Sequence, residues 1–153
     1  MICKYLSKIL PSFLFKKKTT KKYVHTDILR YWTPIELDIF LEINDYLTSI
    51  GKNVVLSDDN LNIECNIRTL YLSDINKITH KGSKESFDRL KELGIKHCAE
   101  ILEVNHDNAK DIINAWKNSP GHNRILSSGI YKYVGVSRIE EWPLSYCCVI
   151  FAS

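Results

Sequence analysis

The chain has 153 residues, of which 44% are hydrophobic, 25% charged and 10% aromatic; this excludes general disorder and is enough apolar material for one domain with a core. The net charge of +3 is unevenly placed: residues 1–22 hold seven lysines and no acid, leaving 14 basic against 18 acidic side chains in the remainder. A basic, partly apolar tail (residues 1–30) thus precedes a mildly acidic domain (31–153), and a domain without a basic stripe argues against nucleic-acid binding by the fold.

In the tail, Lys4, Lys8 and Pro11 interrupt the apolar residues. The run is shorter than the roughly 20 residues of a spanning helix and makes a poor secretory signal. Ile2, Tyr5, Leu6, Ile9 and Leu10 fall at helical spacing ahead of Lys16–Lys18. That suits a membrane-surface helix with a polybasic anchor; a disordered tail or a divergent, uncleaved targeting segment fits the same residues.

The first helix of the domain starts near residue 33. Thr33 is its N-cap, Pro34 its first residue, and Glu36 completes a capping box. Trp32 and Leu37 are placed as a hydrophobic staple. Ile35, Ile39, Ile43, Tyr46, Leu47 and Ile50 make one apolar face, and Gly51 ends the helix. A second helix is expected from Ser57–Asn60 toward Ile78. Its apolar residues lie on two stripes, Leu61, Cys65, Leu72, Ile75 and Ile63, Ile67, Leu70, as in a buried helix. Ser86–Leu93 reads as a short third helix stopped by Gly94. A fourth has Asn108 as cap, Asp111 at N3, and Ala109, Ile112, Ile113 and Trp116 as its stripe.

The period then changes. Tyr131–Ile139 and Tyr146–Ala152 read as strands joined by a loop at Glu140–Pro143. The second strand, Tyr-Cys-Cys-Val-Ile-Phe-Ala, is apolar on both faces, so helices must cover the sheet on two sides. The expected class is α+β: a three-layer α/β/α sandwich with a small, mostly antiparallel central sheet. The five cysteines (3, 65, 98, 147 and 148) are odd in number, irregularly spaced and without a Cys-x-x-Cys pair. They read as buried free thiols, with Cys147 and Cys148 facing opposite sides of their strand.

Residues 115–126, Ala-Trp-Lys-Asn-Ser-Pro-Gly-His-Asn-Arg-Ile-Leu, resemble the A-W-x-N-S-P-G-H-R-x-x-I-L stretch of bacterial-type CAP (SCP-like) domains. That superfamily includes the cysteine-rich secretory, antigen-five and pathogenesis-related proteins. Val134-Gly135-Val136 resembles the family's I-G-V-G strand. His80, Phe87-Asp88-Arg89-Leu90 and Ala99-Glu100-Ile101 follow its order S-H, F-D-R-L, G-E-N-I. The resemblance implies an α/β/α sandwich with a surface cleft that in many members is lined by two His and two Glu able to hold a divalent metal such as zinc. His80, Glu100 and His122 match three of those positions. Asn118 and Ser119 stand where the animal branch has its second Glu, and Ala99 and Ile101 replace the Gly and Asn around Glu100.

Ser119 and Pro120 suit the N-cap and first residue of a short helix, which places His122 in its first turn. There the helix dipole disfavours imidazolium and keeps the metal-binding neutral ring. Two His and a carboxylate form a plausible zinc set with an open position; a hydrogen-bonded polar cluster tying loops together fits the same residues. Glu103, His97 and His106 read as solvated loop residues. No catalytic residue is assigned, since no Gly-x-Ser-x-Gly or His-Glu-x-x-His occurs and Ser119 is spent as a cap. Three functions remain open. The first is a non-enzymatic binding module of lipid, sterol or host-interaction type. The second is a metal-dependent hydrolase using His80, Glu100 and His122, and the third a membrane-peripheral scaffold anchored by residues 1–22. Family habit implies secretion, against which stands the lack of a clear signal peptide.

Overall fold

The computed structural model describes residues 32–153. The readings of the tail and of Cys3 lie outside the described residues. Five helices and four strands follow one another: α1 (Pro34–Ser49), β1 (Leu56–Ser57), α2 (Asp59–Asp74), α3 (Ser83–Glu92), β2 (Ala99–Val104), α4 (Ala109–Asn118), α5 (Pro120–Leu126), β3 (Tyr133–Glu141) and β4 (Leu144–Ala152). The strands form one sheet in the order β1-β3-β4-β2. β4 runs antiparallel to both neighbours, and only the short β1 is parallel to β3.

The doubly apolar β4 sits inside the sheet and separates two cores. Cys147, Val149 and Phe151 face Ile39, Ile43 and Leu47 of α1 and Ile112, Ile113 and Trp116 of α4. Tyr146, Cys148, Ile150 and Ala152 face Leu61, Cys65 and Leu72 of α2 and Leu90 of α3. The α/β/α expectation holds, and the two adjacent cysteines do point to opposite cores. Cys65, Cys98, Cys147 and Cys148 are all free thiols.

Several boundaries differ from expectation. The β3–β4 hairpin is longer than its apolar residues suggest: ladder pairing runs out to Glu140–Ser145 and Glu141–Leu144. Only Trp142 and the cis-linked Pro143 are left to turn the chain. β2, whose sequence offers no alternation, forms because β4 presents an unpaired edge to it. α3 starts at Ser83, behind Gly82 at φ +93°. The Trp32–Leu37 staple is not made. Leu37 is 44% exposed, whereas Trp32 packs on Phe40, with ring centroids 4.8 Å apart, and donates to Asn62 Oδ1 at 3.1 Å.

Helix α2 carries the largest correction. Ile63, Ile67 and Leu70 are only half-buried, and its buried face contains Asn62, Glu64, Arg68 and Thr69. Each has a partner. Asn62 Oδ1 accepts from Val136 N at 3.0 Å, Glu64 holds Arg89 through two bonds of 2.7 Å, and Thr69 meets Ser137 at 2.9 Å. The helix lies so close to β3 that a Cβ on Gly135 would fall 2.2 Å from the Leu61 carbonyl carbon. Among the described residues no helix is long and apolar enough to cross a membrane.

Candidate functional site

Arg68 belongs to the stripe Leu61, Cys65, Leu72 and therefore points at the sheet. A guanidinium cannot be stripped of water there without a counter-charge. Glu100, on the facing side of β2, supplies it. Arg68 Nε donates to Oε2 at 2.6 Å and Nη2 to Oε1 at 3.2 Å. Both side chains are 2% exposed. Burial pulls the arginine pKa down, but the hydrogen bond and charge of Glu100 outweigh it and raise the pKa overall. The fork geometry matches a carboxylate with two parallel bonds.

The same guanidinium organises the loop that carries His80. Nη2 donates to the Thr79 carbonyl at 2.9 Å and Nη1 to that of Lys81 at 3.1 Å. Gly82 completes the wrap: its φ is +93°, and a Cβ there would stand 2.9 Å from Arg68 Nη1. His80, held between those carbonyls, places Nδ1 at 2.9 Å from Glu100 Oε1. A carboxylate only accepts, so Nδ1 carries the proton. The Cys148 thiol adds a 3.7 Å contact to Oε2. Glu100 is thus engaged on both oxygens.

His122 lies in α5, which has Ser119 at its N-cap position and Pro120 in its first turn, as expected. The Ser119 hydroxyl, however, makes no cap hydrogen bond. The His122 pKa is lowered, first by burial and second by the positive charge of His80. The direction agrees with a neutral ring, but these causes replace the helix-dipole one. His122 makes no hydrogen bond or ion pair with Glu100 among the described residues, while His80 is 58% exposed.

The donors do not fit the metal centre that the resemblance implies. Glu100 is occupied by Arg68, which leaves two imidazoles where zinc sites take three or four protein ligands. Among the described residues no group of three or more His, Cys, Asp or Glu side chains is arranged to hold a metal ion. Burial raises the pKa of Cys98 and pushes Cys147 and Cys148 well above the ordinary thiol range.

Two features differ from the residue-by-residue reading. No sequence motif marks Arg68, although a lone Arg in an apolar helical stripe is a signal that a buried partner must exist. Glu103 is not a solvated loop residue: it is buried and accepts from both Nδ1 and the backbone N–H of His106. His97 is exposed, as expected.

No curated protein sequence matches this chain. An outer surface protein of Borrelia burgdorferi shares the fold with TM-score 0.72 and 22% identity, over 80% of this chain and 96% of that one. A cysteine-rich secretory protein of Staphylococcus aureus subsp. aureus Mu50 matches with TM-score 0.69 and 15% identity, over 89% of this chain and 42% of that one. An extracellular SCP-domain protein of Bacillus anthracis str. Ames matches with TM-score 0.68 and 17% identity, over 80% and 44%. The chain therefore spans less than half the length of these two. The sequence itself matches the CAP, cysteine-rich secretory protein family, over residues 43–151, and the chain belongs to that family.

Proposed function

We propose that this CAP domain is a non-catalytic binding module in which the His80–Glu100 cluster ties loops together rather than holding a metal. The observation that supports this is the buried, two-bond grip of Arg68 on Glu100. Freeing Glu100 for a metal would strand the guanidinium in the core, a change that costs about 3–5 kcal/mol when one partner of such a pair is removed. The cluster joins α2, the Thr79–Lys81 loop and β2, which is structural work. The clefts beside α1 and α4 carry a mixed lining, with Asp38, Glu42, Asp45 and Lys110 beside the apolar Leu41, Tyr46 and Ile113. The neighbours called outer surface and extracellular proteins support display outside the cell for this chain as well.

The test is metal content. Full-length protein is equilibrated with near-millimolar zinc, gel-filtered and analysed, beside a His80→Ala, His122→Ala variant. The expected result is sub-stoichiometric zinc, the same in both. One zinc per chain in the wild type, lost in the variant, would overturn the proposal.

A further inference from the structure

A further cleft, of about 410 Å³, opens where the end of the β3–β4 hairpin meets the loop after β2. Arg138 is the cross-strand neighbour of Cys147, so it sits on the sheet face opposite Arg68 and Glu100. The cleft is separate from that cluster and stands or falls without it.

Its frame is rigid. Asn105 N donates to the Ser145 carbonyl at 3.1 Å, and Asn105 Oδ1 accepts from Ser145 N at 3.3 Å. This sews the loop to β4. Arg138 is fixed from three sides: its backbone N–H donates to Glu36 Oε1 at 2.7 Å, Nη2 donates to the His106 carbonyl at 3.0 Å, and Nη1 pairs with Glu140. Arg138 and Ser145 are each 6% exposed. Yet Arg138 Nε and Ser145 Oγ have no hydrogen-bond partner among the described residues. Glu103 Oε2 is unpartnered in the same way. Such buried atoms are normally satisfied, but all three are sealed from solvent, so the polar groups a ligand reaches are the exposed side chains of Asn105, Asp107 and Glu140 that line the cleft.

Trp142 forms the wall and is 94% exposed. Aromatic rings of this size normally bury most of their surface. Here a full indole face stands in water beside an amide (Asn105), two carboxylates (Asp107 and Glu140), a guanidinium and a hydroxyl. Such a combination selects its ligand by chemistry. A hydrocarbon chain would strip water from the carboxylates without repaying it. A phosphate or sulfated group would meet Asp107 and Glu140, against one Arg138 already paired with Glu140. An uncharged pyranose has one face of C–H groups to lay on the indole and a rim of hydroxyls, each donor and acceptor at once, to meet fixed polar groups. The cleft volume falls in the small-ligand range.

We propose that this cleft is a binding site for a neutral saccharide, stacked on Trp142 and hydrogen-bonded by Asn105, Asp107 and Glu140. The probes are glucose, galactose, mannose, N-acetylglucosamine, lactose and chitobiose, added to the full-length chain and read by saturation-transfer NMR. At least one should bind with a millimolar Kd, about that of a weak single-site contact. Trp142→Ala should weaken it at least tenfold and Asp107→Ala several-fold, while Leu93→Ala at a remote exposed position leaves it unchanged. An amide spectrum of each variant confirms that it is folded. Three results would overturn the proposal: no binding to any probe, binding unaffected by Trp142→Ala, or Trp142-dependent binding to lipid vesicles or heparin fragments in place of neutral sugars.

Discussion

Arg68 and Glu100 face each other across the α2–β2 interface at 2.6 Å and 3.2 Å, both sealed from solvent. Arg68→Leu leaves the carboxylate buried without its cation and should cost about 3–5 kcal/mol in urea denaturation. Adding Glu100→Leu to the same chain removes the stranded charge, so the double variant should be more stable than Arg68→Leu alone. A double variant that is less stable than either single one would show that the pair is not acting as a unit.

Glu36 should prove more than a helix cap. It is fully buried and accepts from Thr33 N at 2.8 Å, from the Thr33 hydroxyl at 2.9 Å and from Arg138 N at 2.7 Å. Glu36→Ala uncaps α1 and also leaves a strand N–H in the sheet without its acceptor. The expected loss is about 2–4 kcal/mol, above the ~1 kcal/mol of an ordinary cap. Thermal and chemical denaturation both read it.

Gly135→Ala tests the approach of α2 to the sheet. The added methyl would meet main-chain atoms of Leu61 and Asn62 at 2.2–2.6 Å, which no side-chain rotation relieves. α2 must shift, at about 1–3 kcal/mol or more, and the Trp32–Asn62 contact should loosen with it. A change in tryptophan fluorescence alongside a lowered melting temperature is the expected pair of signals.

His122 supplies the pH dependence. Its folded pKa is depressed by burial first and by His80 second, from the ordinary value of about 6.5. The unfolded chain therefore binds more protons just below that value, so the stability contributed by His122 is complete above about pH 6.5 and is lost as pH falls through the folded pKa. Imidazole NMR should show His122 titrating below the ordinary value. His80→Gln should move it upward without restoring it fully, because burial persists. An unchanged His122 titration in that variant would remove His80 as a cause.

Much of the fold is legible in the residues. The capped starts of α1 and α4, the glycine stop after α1 and the doubly apolar β4 each follow from local pattern, and β4 alone dictates helices on both sides. What escaped was set by distant partners. β2 has no alternation of its own and exists because β4 has an edge to fill. The buried face of α2 is polar because each of its polar groups finds a partner from another element. For the candidate site, family motifs brought His80, Glu100 and His122 into view, but nothing near Glu100 in sequence names Arg68, 32 residues away. A charged residue in the middle of an apolar stripe was the available signal, and it states that a partner exists without saying which.

The most direct measurement is a crystal structure of the protein soaked in zinc, with anomalous scattering recorded at the zinc edge. The expected result is Arg68 still on both oxygens of Glu100 and no anomalous peak at coordination distance from that carboxylate. A zinc ion about 2.0–2.2 Å from Glu100, joined by His80 and His122 with Arg68 displaced, would contradict it.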